Sequence, residues 1–545
     1  MTGLNKKSNG DMSDDDIDFD EDDEYDAEKV EKKAIDQQEK LKLLLQNLEV
    51  YCNDESEYDD LRDLGKAVKS GAKLAGTILS GGYTNYSYKI HLDSDGSDND
   101  EGNYGKKEIA VFAKIAFPYA LWNPDTSVPY DLDRVTAEFD LMKRFSEELK
   151  TTSAIDGSEK SPIPRPYVLI DVPAAVDGTS PRMKIFVAEW VAPTDEQWGN
   201  QYIEGEIDLR VVDQCAKTLA VINLADCDDD INQGYVETFA KIAKGFDGPV
   251  LAVLDREDED KAVRYVRDVV GKEKMIAIMK EWHIRNRKKE ALVHGDAHVF
   301  NMLVERKPNP FQLSSSFGAN GDFILCDWEM AHKGHKGRDI SNFFSFPTMS
   351  ACFMAARGQK DKADNIIASL KQFWTTYKTA LAEGLDTKQA GSANGDDVLD
   401  VDRYMEEVFN SAISFFGYFS FVAFYIVGVM TEYNETEGLT EKEEKHVMGV
   451  LGWIGIRSME VGFLEPAAEE AFGDHDNQRL SRMESFFFGM IEQEINELFE
   501  ARKTSHRRSR RRSSMLRESS RRVSDSESGF GRMVRRMSQQ VTDEN

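Results

Sequence analysis

The segment His294-Gly-Asp-Ala-His-Val-Phe-Asn301 constrains this chain more than any other. It follows a short apolar run that reads as a strand, and Asp327 follows a second apolar run, Phe323-Ile-Leu-Cys326. Loops that leave neighbouring strands can bring Asp296, Asn301 and Asp327 close together. Carboxylate and amide oxygens hold the magnesium that bridges nucleotide phosphates, and a further carboxylate must lie beside the attacking hydroxyl. The pattern is therefore typical of phosphoryl transfer.

The motif His294-Gly-Asp-x-His-x-x-Asn301, followed by Asp327-Trp-Glu329, resembles the catalytic core of the aminoglycoside phosphotransferase and choline kinase superfamily. Members of that superfamily have a protein-kinase-like fold and phosphorylate small-molecule alcohols. The resemblance covers about residues 75–495. It implies that Asp296 is the catalytic base and that Asn301 and Asp327 bind Mg²⁺, with Glu329 a candidate contact to a second metal ion. His294 and His298 are expected to shape the loop by hydrogen bonding.

The continuation from Asp327 to Phe344 is closest to the choline/ethanolamine kinase branch. There, Asp-x-Glu is followed at this spacing by Arg-Gly-x-Asp-Ile-x-Asn-x-Phe, and Lys336 replaces the arginine here. The aromatic run from Phe415 to Tyr425 supplies rings that suit a quaternary ammonium group. Choline kinases carry tryptophans in that region, however, and core packing is the favoured interpretation of the run.

The upstream half of the chain agrees with this resemblance. Ser80-Gly-Gly-Tyr-Thr-Asn85 is similar to the family's nucleotide loop, where glycines let backbone amides approach phosphates. Asp133-Arg134-x-x-Ala137-Glu138 resembles a helix element of the family, so we predict a Lys114–Glu138 ion pair that directs the lysine to the phosphates. Choline kinases often carry arginine at the position of Lys114. Ala188-Glu-Trp-Val191 is expected to form the hinge that reads adenine. The expected nucleotide-binding residues are Gly81, Gly82, Thr84, Asn85, Lys114, Glu138 and Glu189.

The order of sequence patterns predicts an α+β chain with a two-lobed, protein-kinase-like fold. Alternating apolar runs before residue 192 indicate a small sheet with one helix, and the later patterns are mainly helical. The expected regions are an acidic disordered tail (1–33), a helical extension (34–74), a nucleotide-covering N-lobe (75–192), a catalytic and substrate-binding C-lobe (193–502) and a basic Arg/Ser-rich disordered tail (503–545).

The charge and cysteine content exclude several other classes of protein. A net charge of −31 argues against a nucleic-acid-binding protein, because a phosphate backbone repels such a surface. The five cysteines form no Cys-x-x-Cys pair, which fits a reducing compartment. We expect a cytoplasmic protein with access to the nucleus.

The basic tail holds three arginine-led serines, Ser514, Ser524 and Ser538. Each resembles a site for a basophilic protein kinase, and phosphorylation would reduce the local positive charge. The same arginines suit an anionic membrane surface or nuclear localisation. A regulatory tail is the favoured interpretation, and a merely solvated tail is the alternative.

Other functions remain open at this level. The expected cofactors are ATP and Mg²⁺, and the favoured acceptors are choline or ethanolamine. Another small alcohol, such as methylthioribose or a sugar, and a non-catalytic kinase-like scaffold are the alternatives. A protein kinase is disfavoured because Gly295 replaces the arginine of His-Arg-Asp and Asp-Trp-Glu replaces Asp-Phe-Gly. The uncharged stretch Ser411–Met430 is expected to be a core helix rather than a membrane span, and a zinc site at His294, His298, His332 and His335 is disfavoured.

Overall fold

The computed structural model describes residues 27–51, 57–79, 85–93, 109–119, 130–152, 159–174, 181–191, 195–257, 259–305, 323–391, 400–428, 439–473, 476 and 478–504. The predicted nucleotide-loop residues Gly81, Gly82 and Thr84 lie outside these ranges. So do most of the acidic tail and, with the serines discussed above, the basic tail after residue 504.

The helices are α1 (Ala27–Tyr51), α2 (Asp59–Lys69), α3 (Asp133–Glu148), α4 (Trp198–Glu204), α5 (Leu209–Leu224), α6 (Gln233–Lys244), α7 (Asp247–Ala252), α8 (Lys261–Tyr265), α9 (Gly271–Arg285), α10 (Arg338–Ala356), α11 (Lys360–Gly391), α12 (Val401–Tyr418), α13 (Glu441–Phe463), α14 (Glu465–Phe472) and α15 (479–504). The strands are β1 (Leu74–Ile78), β2 (Tyr86–Leu92), β3 (Ala110–Ala116), β4 (Thr151–Thr152), β5 (Glu159–Lys160), β6 (Pro166–Val172), β7 (Met183–Glu189), β8 (Asp195–Gln197), β9 (Ala291–Val293), β10 (Met302–Glu305), β11 (Phe323–Leu325) and β12 (His332–Gly334). Mixed α and β content, with a small antiparallel sheet and many helices, is compatible with the predicted two-lobed fold.

The first half of the described chain contains a five-stranded antiparallel sheet, whose strands lie in the order β1-β2-β3-β7-β6. Strands β3 and β7 are almost fully buried because they lie at the centre and are covered on both faces. Strand β6, which the sequence analysis did not assign, completes the sheet beside β7. The sheet carries Lys114 on β3 and places Glu189 at the end of β7.

Helices α1 and α2 pack on one face of this sheet. Leu41, Leu44 and Leu48 recur at helical spacing, so they form one apolar stripe, and all three are buried in the same core as Tyr88 and Ile90 of β2. Helix α1 begins at Ala27, seven residues before the predicted start of the helical extension at residue 34. The extension is thus part of the core of the sheet.

The second half of the described chain is mainly helical and surrounds α10, in which every residue is buried. Helix α11 packs along α5, and α12 packs along α13. Glycines allow α12 and α13 to approach each other closely, since a Cβ on Gly417 would lie 2.6 Å from the carbonyl oxygen of Gly455. Four cysteines in the described residues are free thiols: Cys215, Cys227, Cys326 and Cys352.

One described helix, Val401–Ile426, is long and apolar enough to cross a membrane by length and composition alone. Of its most apolar window, 72% is buried inside the protein. Phe415 and Tyr418 pack on Trp282, with the Tyr418 and Trp282 rings stacked at 3.9 Å. These contacts favour the predicted core helix over a membrane span.

Two short sheets carry the loops of the predicted site. Strand β9 pairs with β12, and β10 pairs with both β11 and β8. The segment 294–301, here called the catalytic loop, therefore runs from β9 to β10. Asp327 and the turn Trp328–Met330, here called the metal loop, connect β11 to β12.

Candidate active site

The catalytic loop is held at its first two residues by the carboxylate of Asp339. That carboxylate accepts the backbone N–H groups of His294 and Gly295 at 2.8 and 2.9 Å. The carbonyl of Gly295 in turn accepts from Arg338 Nε and Asn342 Nδ2. Four hydrogen bonds from the start of α10 thus fix where the loop begins. Burial raises the pKa of Asp339 to about 6, although the two N–H donors oppose the shift.

Position 295 requires a glycine, both because of its backbone conformation and because no space is left for a side chain. Its φ of +84° lies in the left-handed region, and a Cβ there would lie 2.2 Å from the carbonyl oxygen of Met330. The catalytic loop consequently passes directly against the metal loop, with no room for a side chain between them.

Asp296 and Asn301 are joined by their side chains. Asn301 Nδ2 donates to Asp296 Oδ2 at 2.9 Å and to the Asp296 carbonyl at 3.0 Å. The Asp296 carboxylate remains partly exposed. Because the amide nitrogen is used inside the loop, the amide oxygen of Asn301 is the group left to bind a cation.

His298 supports this arrangement from within the loop. Its Nδ1 accepts from the N–H of Phe300, and its Nε2 lies 3.5 Å from Asp296 Oδ2. Burial lowers the pKa of His298, but the Asp296 carboxylate outweighs this effect and raises it overall. Burial conversely raises the pKa of Asp296, and His298 brings it below its ordinary value. Asp296 is therefore held as a carboxylate.

The metal loop lies beside the catalytic loop because their strands pair. The N–H of Cys326 donates to the carbonyl of Asn301 at 2.9 Å, and His294 Nε2 contacts the carbonyl of Cys326 at 3.0 Å. Burial lowers the pKa of His294 to about 4, so its ring is neutral and Nε2–H is the donor. Asp327 adopts φ +62°, which is uncommon for a residue with a side chain. The structure thus brings Asp296, Asn301 and Asp327 into one region.

Lys114 connects the sheet to the metal loop. Its Nζ lies 2.6 Å from Glu138 Oε2 and 3.2 Å from Asp327 Oδ1, which confirms the predicted Lys114–Glu138 ion pair. Burial lowers the pKa of Lys114, but the two carboxylates outweigh burial and raise it overall. A fixed, charged ammonium group therefore faces the side chain predicted to bind a metal ion.

Glu329 does not have the surroundings that a metal ligand would need. Its Oε2 accepts from Asn85 Nδ2 at 2.6 Å and from Arg134 Nε at 3.2 Å, and its side chain is almost fully buried. A buried guanidinium repels a cation, so this pairing argues against the predicted second-metal role. The Asn85 side chain, predicted to contact nucleotide, is likewise committed to Glu329 and Arg134.

Glu189 lies at the end of β7, where the hinge was predicted. Its N–H donates to the carbonyl of Arg165 at 2.8 Å, and its carboxylate accepts from the Arg165 N–H at 3.2 Å. Both groups are therefore used within the protein, and an adenine contact at this residue would fall to its carbonyl oxygen.

Each of the four histidines that could suggest zinc makes a hydrogen bond within the protein. His332 Nδ1 contacts the carbonyl of Met330, and His335 Nδ1 contacts Ser411 Oγ. Among the described residues, no group of three or more His, Cys, Asp or Glu side chains is arranged to hold a metal ion. Magnesium needs fewer protein ligands, since one or two side-chain oxygens with phosphates and water commonly suffice. Asn301 and Asp327 fit that requirement.

Sequence reasoning assigned no role to several residues that shape the site. Asp339, Arg338 and Asn342 were visible as part of a motif, but only the fold shows that they brace the catalytic loop. Asn232 carries no sequence signal that points to this site. Its Nδ2 donates to the carbonyls of Glu329 and Ala331, so it holds the metal loop from the other side.

No family model matches this chain, and no curated protein does. Solved structures of glucosamine kinase are similar at a low level. Crystal form A is 13% identical, covering 68% of this chain and 92% of that one, with a TM-score of 0.25. The complex with glucosamine, ADP and inorganic phosphate is 14% identical, covering 61% and 80%, with a TM-score of 0.28. Crystal form B is 12% identical, covering 65% and 91%, with a TM-score of 0.29. At this level of similarity, these structures do not indicate the function of this chain.

Proposed function

We propose that this chain is an ATP-dependent phosphotransferase that phosphorylates the hydroxyl group of a small molecule. The observation that supports it best is the joining of Asp296 to Asn301 beside Asp327, which itself contacts the paired Lys114. Phosphoryl transfer needs this set of groups, namely a carboxylate for the hydroxyl, oxygen ligands for a cation and an ammonium group for the phosphates.

In the proposed reaction, Asp296 orients the acceptor hydroxyl and takes its proton as the oxygen bonds to the γ-phosphorus. The bond between that phosphorus and the bridging oxygen breaks, and ADP leaves. Lys114 stabilises negative charge on the phosphates, and Glu138 keeps the lysine in place. Magnesium, when bound by Asn301 and Asp327, would neutralise further charge on the phosphates.

The acceptor is proposed from the sequence resemblance as choline or ethanolamine, with methylthioribose or a sugar as the alternative. The aromatic run Phe415–Tyr425 gives choline no support, because Phe415, Phe421 and Phe424 are buried in the helical core. A protein substrate is disfavoured, since the left-handed backbone and the missing space at Gly295 exclude the arginine of a protein kinase.

The test is ADP release by the purified chain with Mg-ATP and one acceptor at a time: choline, ethanolamine, methylthioribose, glucosamine or a generic protein substrate. We expect one small alcohol to stimulate ADP release while the protein substrate does not. Binding of Mg-ATP without stimulation by any acceptor would favour the non-catalytic scaffold. Absence of nucleotide binding in a thermal-shift assay would overturn the proposal.

A further inference from the structure

Three buried side chains from distant parts of the chain close a ring beside the site. Asn85 Nδ2 donates to Glu329 Oε2 at 2.6 Å, Arg134 Nε contacts the same oxygen at 3.2 Å, and Arg134 Nη2 donates to Asn85 Oδ1 at 3.0 Å. We call this ring the latch. The Arg134 and Glu329 side chains are 1% and 2% exposed, so solvent does not weaken their attraction.

Arg134 is held in place by further bonds. Its Nη1 donates to the backbone carbonyls of Phe117, Tyr130 and Asp131 at 3.2, 3.0 and 2.8 Å. The guanidinium therefore ties the end of β3 and the start of α3 to the latch. Such a multiply bonded arginine is a rigid anchor and cannot turn away to leave Glu329 for another partner.

Each member of the latch neighbours a part of the proposed site. Asn85 is the last residue of the segment expected to form the nucleotide loop, and Glu329 lies two residues after Asp327. Arg134 lies one helical turn before Glu138, which pairs with Lys114. Helix α3 is thus linked to the metal loop twice, indirectly from Glu138 through Lys114 of β3 to Asp327, and directly from Arg134 to Glu329.

The two acidic residues of the metal loop differ in the solvent exposure of their side chains. The Asp327 side chain is 42% exposed, whereas that of Glu329 is enclosed by two donors. An incoming cation can therefore reach Asp327 but would have to displace a buried arginine to reach Glu329. Removing one member of a buried ion pair is strongly unfavourable.

We propose that Glu329 and Arg134 are positioning residues, which act by holding Asp327 and Asn85 in register rather than by binding metal. This inference rests on the proposed function, because it assigns the latch to a nucleotide site. Asn232 holds the same loop from the other side, since its Nδ2 donates to the backbone carbonyl of Glu329 at 2.8 Å.

The test is a double-mutant cycle with Arg134→Met, Glu329→Gln and the combined variant. Each single change leaves a buried group without its partner, so the combined variant should have a higher Tm than Arg134→Met alone. Each single change should lower kcat/KM for Mg-ATP on the order of a hundredfold, as expected for displaced catalytic groups. The combined variant should be no worse than the poorer single variant, because both changes break the same contact.

Lys184→Met is the matched control. Lys184 is also buried and also bonded to α3, through Thr136 and Asp133, but it anchors that helix to β7 instead of to the metal loop. Loss of Lys184 should lower the Tm while leaving kcat/KM for Mg-ATP unchanged. A similar loss of kcat/KM in this control would reduce the latch to general helix anchoring and overturn the proposal.

A metal role for Glu329 predicts a different result. The defect of Glu329→Gln would then be rescued by raised Mg²⁺ and would add fully to that of Arg134→Met, which would also overturn the proposal. Normal Mg-ATP affinity and turnover in all three variants would overturn the positioning role of the latch, but not the proposed function. Wild-type protein that binds no Mg-ATP would instead overturn the proposed function.

Discussion

Lys114 Nζ lies 3.2 Å from Asp327 Oδ1, although the two residues are separated by 213 positions in the chain. The contact joins the central strand of the sheet to the metal loop. Glu138 supplies the second carboxylate at 2.6 Å, so one ammonium group links α3, β3 and the metal loop.

Replacing Lys114 by methionine should damage both stability and nucleotide binding. Glu138 would be left as an unpaired buried carboxylate, which typically costs about 3–5 kcal/mol of unfolding free energy. The double variant Lys114→Met/Glu138→Gln should regain most of that stability, because the buried charge is gone, yet still bind Mg-ATP weakly. Urea denaturation and calorimetric titration measure the two effects. Restored Mg-ATP affinity in the double variant would remove Lys114 from the nucleotide site.

Asp296→Ala should sharply lower turnover while Mg-ATP binding survives. A positioned general base typically contributes about a hundredfold to ten-thousandfold to the rate, so kcat should fall within that range. The Asp296 side chain is partly exposed, so little stability should be lost and the Tm should stay near that of the wild type. The measurement is ADP release with the acceptor found in the substrate panel. Turnover close to that of the wild type would eliminate Asp296 as the base.

Gly295→Ala should unfold or strongly destabilise the protein. The new Cβ would lie 2.2 Å from the carbonyl oxygen of Met330, and the backbone there has positive φ. Gly489→Ala is the matched control, because Gly489 is exposed on α15 and no atom lies within 4 Å of its added Cβ. Alanine should raise stability there by about 0.5–1 kcal/mol through its helix propensity. Equal Tm changes in the two variants would contradict the close approach of the two loops.

Local patterns predicted the elements well where periodicity was strong. The bounds of α5, Leu209–Leu224, follow from its amphipathic repeat, and Leu292-Val293 and Phe323–Cys326 correspond to β9 and β11. Strands β8 and β12 escaped the sequence analysis because they are three residues long and are defined by long-range pairing. Periodicity carries no information about such partners.

The candidate site residues divide in the same way, into those with a signal in the sequence and those defined only by long-range contacts. The Lys114–Glu138 pair was predicted through the family resemblance, whereas the partner of Glu329 was not, because Arg134 lies 195 positions earlier. Sequence shows an acidic side chain beside a metal ligand, and only packing shows that a guanidinium encloses it. Asp339 is similar, since its bonds to His294 and Gly295 exist only once α10 packs against the catalytic loop.

Stability should depend on pH through His332, which is buried and neutral. Burial, and then the charge of Arg338, lower the pKa of His332 to about 3. The unfolded chain binds a proton at this histidine below its ordinary pKa of about 6.5, whereas the folded chain does not. The stability contributed by the neutral ring is therefore complete above pH 6.5 and is lost as the pH falls from there.

His332→Asn isolates this effect, because the asparagine amide can still donate to the carbonyl of Met330 that His332 Nδ1 contacts at 2.7 Å. Without the histidine, the variant loses this pH dependence. The wild type should exceed the variant in unfolding free energy by a constant amount above pH 6.5. As the pH falls below 6.5, this difference should shrink by about 1.4 kcal/mol per pH unit. Urea denaturation at pH 8.0, 7.0, 6.0 and 5.0 measures the difference. If the difference stayed constant across all four pH values, the histidine would have to become protonated in the folded protein as readily as in the unfolded chain.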